Sequence, residues 1–226
     1  MQKSGTLIAL AWPDTKVIAE GKWYDIPLGF LGFIKQGYYT AGHAALLLIN
    51  HNTNEVLYYD FGRYHTPYQK GRVRSIETDP ELKVETKAIF HHNKLINIEH
   101  ILQEISNNKS CHGDGKLMAS ELRNIDFEKA INLANSMQDK GAICYGPIKR
   151  GGTNCSRFVS TIAKKSTNHL IRRILLHIPY TFSPTPKSNI RLANSHHYYF
   201  LIDEHQKAKN VSPFIPKLNF TKLRLW

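Results

Sequence analysis

GGTNCSRFV, at residues 151–159 of a 226-residue chain, predicts a glycine-rich turn followed by a helix. Thr153 or Asn154 can cap that helix, because a side-chain oxygen at this position accepts a hydrogen bond from a backbone N–H of the first turn. Apolar residues then recur at helical spacing, at Phe158, Val159, Ile162 and Ala163. We therefore predict that Cys155 is the first residue of an amphipathic helix.

A cysteine at the start of a helix can be a nucleophile. The positive end of the helix dipole lowers the pKa of a thiol and so favours the thiolate, which is the reactive form. The alternative interpretation is structural, since free cysteines are often buried and behave as small apolar residues. A catalytic role for Cys155 requires a partner elsewhere in the chain.

A predicted β-hairpin offers such a partner. The apolar run GHAALLLI at residues 42–49 is typical of a buried strand, and residues 56–64 form the returning strand after a polar turn. With the hairpin centred on that turn, the numbers of cross-strand partners sum to about 105, so His43 faces position 62 or its diagonal neighbours. Asp60 lies on the same face, and the two side chains are predicted to meet.

Such a pair would suit a cysteine site. A carboxylate that accepts a hydrogen bond from one histidine nitrogen fixes the tautomer and leaves the other nitrogen free to take a proton from a thiol. The alternatives are that His43 is a core histidine with a backbone partner and that Asp60 is a turn former at the end of a strand.

The segment after the hairpin, at residues 62–74, is predicted as a loop rich in aromatic and basic residues. It forms either one wall of a substrate cleft or a structured surface loop. The candidate substrate-binding residues, whose arginines could meet an anionic group, are Arg63, His65, Arg72, Arg74 and, from before the hairpin, Tyr38.

The formal net charge of +12 favours anionic partners. The basic residues are scattered rather than clustered, which indicates a solvated surface, and we expect no nucleic-acid partner. Three cysteines are too few for a disulfide framework and fit a reducing compartment. Neither a signal peptide nor a membrane-spanning run is recognisable, so we expect a cytoplasmic protein.

We predict no metal and no cofactor. Residues of metal-ligand type occur at Cys111, His112, His91 and His92, but no CxxC or HExxH motif accompanies them.

The remaining patterns predict one α+β domain over residues 1–226, with a core at about 38–165 and a C-terminal extension at about 180–226. Further strands are expected at 6–11, 82–90, 116–122 and 198–202, and further helices at 98–107, 126–138 and 168–178.

The order of these features, with a histidine strand before a cysteine helix, resembles the circularly permuted branch of the papain-like superfamily. NCSRFV at 154–159 is similar to the Asn-Cys-x-x-Phe-Val pattern of that branch, and Gly42-His43-Ala44 resembles its histidine strand. The branch includes lecithin:retinol acyltransferase-like proteins, with NlpC-type peptidases as unpermuted relatives. The strings GHAA, YYDFGRYH and GTNCSRF also resemble those of an uncharacterised bacterial family.

This resemblance implies an antiparallel sheet packed against helices, with Cys155 at a helix N-terminus as the nucleophile. His43 would act as general base and then acid, and a third residue would orient it. That residue is a histidine in the acyltransferase-like relatives, whereas Asp60 stands on the matching strand here, with His65 as the alternate. The backbone N–H of Cys155, in a loop with Gly152 and Asn154, would stabilise the oxyanion.

Three functions follow from these expectations. The first is a cysteine hydrolase of the peptidase or amidase type, which cleaves an amide or ester acyl bond in a peptide or other acyl substrate. The second is an acyltransferase to an amine or lipid acceptor. The third is a non-catalytic binding module for an anionic ligand.

Overall fold

In the computed structural model, most of the described chain is arranged around one large sheet. The described residues are 4–18, 34–35, 38–39, 42–146, 151–177, 183–194, 199–202 and 208–211.

The large sheet has eight strands among the described residues, and every neighbouring pair is antiparallel. In spatial order they are β11 (Ile143–Cys144), β7 (Lys70–Arg74), β6 (Val56–Gly62), β5 (His43–Asn50), β1 (Ser4–Trp12), β10 (Leu117–Asp126), β12 (Tyr199–Ile202) and β13 (Ala208–Val211). Short strands form two smaller sheets: β2 (Val17–Ile18), β4 (Tyr38–Tyr39) and β3 (Ile34–Lys35) in one, and β8 (Phe90–His91) with β9 (Lys94–Leu95) in the other.

Helices pack on both faces of the large sheet. One face carries α1 (Ile98–Asn107), and the other carries α2 (Phe127–Asp139), α3 (Cys155–Ser166), α4 (Leu170–His177) and α5 (Pro186–Leu192). Among the described residues, no helix has both the length and the apolar character needed to cross a bilayer. The predicted class, α+β with an antiparallel sheet against helices, is confirmed.

The two-sided packing explains the sequence of the central strands. Along β1, Leu7 and Ala9 join the core under α2 and α3, whereas Ile8 and Leu10 join the core under α1. Because both faces are covered, the strand is apolar throughout instead of alternating between apolar and polar residues.

The hairpin prediction is confirmed, including its register. Ala45 lies opposite Asp60 in the β5–β6 pair, which is the spacing that the turn predicted. The segment at 62–74 differs from the prediction, because its second half forms β7 and pairs with β6.

The strand predicted at 82–90 is wrong over most of its length. A 3₁₀ turn covers Pro80–Leu82, and residues 83–89 form no ladder. The backbone N–H groups of Glu85 and Thr86 donate instead to the carboxylate of Glu104 on α1, at 2.6 and 2.9 Å. The alternating apolar residues still face the core, and the side chain of Glu104 replaces a strand as the hydrogen-bond partner of these two N–H groups.

Phe158 provides a test of this packing, because it is fully buried on α3 and stacks on Phe61 of β6 with ring centroids 6.5 Å apart. We expect Phe158→Ala to lower the free energy of unfolding by about 3–5 kcal/mol, through lost burial and the cavity left behind. The control Tyr68→Ala, at an exposed aromatic residue, should change it by no more than about 0.5 kcal/mol. Urea denaturation followed by circular dichroism measures both, and equal losses would contradict the described core.

Candidate active site

Cys155 is the first residue of α3, as the sequence predicted. The cap is Asn154 rather than Thr153: its side-chain oxygen accepts a hydrogen bond from the backbone N–H of Arg157 at 2.8 Å. Thr153 holds the turn in place instead, since its N–H donates to the carbonyl of Cys144 and its carbonyl accepts from Gly146, both at 2.9 Å. The turn is thereby fastened to the strand edge at β11.

His43 is the first residue of β5, a strand against which α3 packs. Its ring stacks on Trp12 of β1, with centroids 5.7 Å apart. Gly42, just before it, has a φ of 71°, and a Cβ there would lie 2.9 Å from the carbonyl oxygen of Trp12. Glycine is therefore required where the chain turns into β5.

The structure brings Cys155, His43 and Asp60 together in one buried line. His43 Nε2 lies 3.3 Å from Oδ2 of Asp60, and the thiol of Cys155 forms a hydrogen bond with the same ring. Because Nε2 is directed to the carboxylate, Nδ1 is the nitrogen left for the sulfur. The backbone N–H of Ala44 also donates to Cys155.

Asp60 is fully buried and accepts five hydrogen bonds from four side chains. Arg74 supplies two of them, from Nε to Oδ1 at 3.0 Å and from Nη2 to Oδ2 at 2.6 Å. The hydroxyls of Tyr58 and Tyr64 donate to Oδ2 at 3.1 and 3.0 Å. Such a set holds the carboxylate in one orientation and keeps it ionised.

The pKa shifts of the three residues all favour the charged form of the group. Burial would lower the pKa of His43, but its hydrogen bonds and charge interactions with Asp60 and Cys155 raise it to about 9. Burial would raise the pKa of Cys155, but the hydrogen bond and charge of His43 lower it. The pKa of Asp60 is lowered against its burial by His43 and Arg74. These shifts favour a thiolate beside an imidazolium in the resting site.

Arg74 was predicted to bind substrate, and the structure places it behind Asp60. Its side chain is buried, lies 3.5 Å from the centroid of the Tyr64 ring and also donates to the carbonyl of Ser110 at 2.9 Å. Arg72 likewise makes a bidentate pair, with Asp79, at 2.6 Å for both bonds. The alternation of Arg72 and Arg74 could have indicated that this segment is a strand. Its pairing with β6 is what places Arg74 opposite Asp60.

The remaining predicted residues of the site are Arg63, His65, Tyr38 and Gly152. Arg63 places its guanidinium 5.1 Å from the centroid of the Tyr145 ring, and His65 is exposed in a left-handed conformation with a φ of 48°. Tyr38 is exposed on the small sheet, and Gly152 lies in the turn before Cys155. Their role in substrate binding stays a prediction.

Tyr58 and Tyr64 were not anticipated as site residues. Burial raises the pKa of both well above the usual range, so they remain hydroxyl donors to Asp60. The alternation of Tyr58 and Asp60 along β6 could have indicated the first, because residues two apart share a face.

Among the residues that the structure describes, no group of three or more histidine, cysteine or acidic side chains could hold a metal ion. Cys111 is buried in a 3₁₀ turn at Lys109–Cys111. His91 and His92 are exposed in the β8–β9 hairpin, where their tilted rings contact each other with centroids 4.0 Å apart.

The molecule is thus an α+β protein with a buried thiol–imidazole–carboxylate line where a helix N-terminus meets an antiparallel sheet. Residues 7–171 match the family described as Type VI secretion system effector TseH-like, and the chain belongs to that family.

A solved structure is also similar to it. The crystal structure of the Type VI secretion system effector TseH aligns with a TM-score of 0.61 and 18% identity, over 94% of this chain and all of that chain. No curated protein matches the sequence.

The pH dependence of thiol alkylation tests the ion pair. The thiolate forms as the pH rises through the lowered pKa of Cys155, and the imidazolium of His43 is lost as the pH rises through about 9. In His43→Ala the burial of Cys155 is no longer opposed by the imidazole, so the pKa of the thiol rises. We expect iodoacetamide to modify Cys155 at pH 6 at least about tenfold more slowly in this variant than in the wild type.

Peptide mass spectrometry can follow each cysteine separately in that experiment. Cys144 is the internal control, since its rate should not depend on His43. Cys111 should stay unmodified below pH 9, because it is buried and burial raises its pKa to about 12. A Cys155 rate with the same pH profile in both proteins would contradict the ion pair.

Arg74→Met tests whether Arg74 compensates the buried negative charge of Asp60. It leaves a buried carboxylate without its cation, and we expect the free energy of unfolding at pH 7 to fall by about 3–5 kcal/mol. The loss should shrink toward about pH 4, because a protonated carboxyl group needs no cation. Arg72→Met is the matched control on the same strand, and its loss should be smaller because the pair with Asp79 is partly exposed. Equal losses in urea denaturation would contradict a special role for Arg74.

Proposed function

We propose that this protein is a cysteine hydrolase of the peptidase or amidase type, which cleaves an amide or ester acyl bond. Cys155 is the nucleophile, His43 the general base and acid, and Asp60 the residue that orients His43. The observation that carries this proposal is the buried line of thiol, imidazole and carboxylate, with the pKa of Cys155 lowered against its burial.

The reaction begins when the thiolate of Cys155 attacks the carbonyl carbon of the substrate, and the electron pair of the C=O bond moves to oxygen. The backbone N–H of Cys155, at the N-terminus of α3, donates to that oxyanion, in a turn shaped by Gly152 and Asn154. Collapse of the intermediate breaks the acyl bond, and the leaving amine or alcohol takes the proton of His43.

A water molecule completes the cycle. His43 takes a proton from the water as it attacks the thioester, the C–S bond breaks, and the thiolate leaves with its electron pair. The products are a carboxylic acid and the regenerated ion pair of Cys155 and His43. In an acyltransferase, an amine or alcohol acceptor would take the place of this water.

Asp60 is the third residue of this proposal, and His65 is not. Asp60 receives a hydrogen bond from Nε2 of His43, whereas His65 is exposed on the loop after β6. We assign Arg74 a positioning role through Asp60. The chain order, with His43 on a strand and Cys155 on a later helix, supports a permuted papain-like arrangement.

Family membership extends the proposal to the setting of the reaction. The family is one of Type VI secretion system effectors, and we propose that the acyl substrate belongs to the cell that receives the effector. Survival of bacteria that produce the protein in the cytoplasm, or in the periplasm after fusion to an export signal, would show which compartment holds that substrate.

The mechanism can be tested with p-nitrophenyl acetate, an activated ester that needs little binding. We expect an acetyl group on Cys155, detected by peptide mass spectrometry after rapid acid quenching, and release of p-nitrophenol that Cys155→Ala abolishes. His43→Ala should lower the rate by about 10²–10⁴-fold, the range for loss of a general acid–base group.

Cys144→Ala is the matched control, because it removes a cysteine outside the line. It should leave the rate within about twofold of wild type, as most substitutions away from a reacting centre do. Full activity in Cys155→Ala would disprove the mechanism. Transfer of the acetyl group to an added amine in preference to water would identify an acyltransferase instead.

A further inference from the structure

The net positive charge of this chain comes mainly from one segment that lacks acidic residues. Residues 140–202 contain ten lysines and arginines and no aspartate or glutamate. The rest of the chain has 20 basic and 18 acidic residues, so the segment accounts for nearly all of the net charge of +12. Such an asymmetry indicates an anionic partner for this part of the molecule.

Helix α4 lies in that segment and exposes three large apolar side chains. Leu170, Ile171 and Ile174 are 67%, 74% and 51% exposed. The side of α4 that faces the protein is secured by Leu176, which is buried in the core. The helix is therefore docked on the protein by one side and carries an aliphatic cluster on another.

Two basic residues precede this cluster closely in the sequence. Lys164 and Lys165 occupy the last turn of α3, a few residues before α4 begins. The pKa of Lys164 is lowered first by its partial burial and then by repulsion from the charges of Lys165 and Arg157. An anionic surface would relieve that repulsion.

We propose that this basic apolar patch, formed by Lys164, Lys165, Leu170, Ile171 and Ile174, binds the surface of an anionic lipid bilayer. The aliphatic side chains would enter the boundary between headgroups and acyl chains, while the cations contact anionic headgroups. Aliphatic residues favour this partner over a nucleic acid, whose phosphates offer them no apolar environment.

The patch is distinct from the candidate active site. It begins at Lys164 in the last turn of α3, about 14 Å along the helix from Cys155 at 1.5 Å per residue. Binding there would hold the protein at a membrane without occupying the reacting thiol. The proposal does not depend on the proposed hydrolase activity, and substitutions in the patch leave Cys155 and His43 unchanged.

Flotation of the full-length protein with lipid vesicles tests this inference. Vesicles of phosphatidylcholine containing about 30% phosphatidylglycerol should bind it, vesicles of phosphatidylcholine alone should not, and binding should weaken between about 0.1 and 0.5 M NaCl. Ile171→Ser/Ile174→Ser should reduce the bound fraction at least about tenfold, because the apolar contribution is lost.

Ile89→Ser/Ile96→Ser is the matched control. It replaces two isoleucines that are 53% and 60% exposed but lie outside the basic segment, so binding should equal that of the wild type. Circular dichroism and the alkylation rate of Cys155 at pH 6 would verify that all variants are folded.

Three results would overturn the proposal. They are failure to bind phosphatidylglycerol vesicles, equal loss in the patch and control variants, and vesicle binding that is unaffected by Ile171→Ser/Ile174→Ser. In the last case, equally tight, salt-sensitive binding to duplex DNA would identify a general affinity for polyanions.

Discussion

The buried ion pair between Asp60 and Arg74 is the interaction on which the candidate site depends. A carboxylate without access to water is stable only when cations and hydrogen-bond donors replace its hydration. The pairing of β6 with β7 provides the cation, because Arg74 lies directly opposite Asp60. The anchored carboxylate can then receive Nε2 of His43, which leaves the other ring nitrogen for Cys155.

Helix α3 presents different chemistry at its two ends for one electrostatic reason. The positive end of its dipole lies at Cys155 and favours the thiolate, while the negative end favours the cations Lys164 and Lys165 in the last turn. Between the two ends, an apolar stripe that includes Phe158 is buried against the sheet. One helix therefore supports both the proposed reaction and, beyond its C-terminus, the proposed lipid contact.

Local patterns predicted the fold where the chain interacts mainly with its near neighbours in sequence. The β5–β6 register followed from a short turn, and α1, α2 and α3 followed from helical spacing. The segment 83–89 differed, although its alternation suited a strand. The backbone N–H groups of Glu85 and Thr86 donate to Glu104 on α1, and a sequence pattern does not reveal whether an extended segment finds a strand or a carboxylate as its partner.

The sequence by itself determined that Cys155 begins a helix and that His43 and Asp60 face each other, because a cap, a turn and side-chain periodicity are local properties. Only the tertiary structure decided that the thiol reaches His43, 112 positions away, and that Arg74 forms a buried ion pair with Asp60 instead of facing solvent. Both contacts depend on which distant elements pack or pair, and this is set by burial and strand pairing across the whole chain.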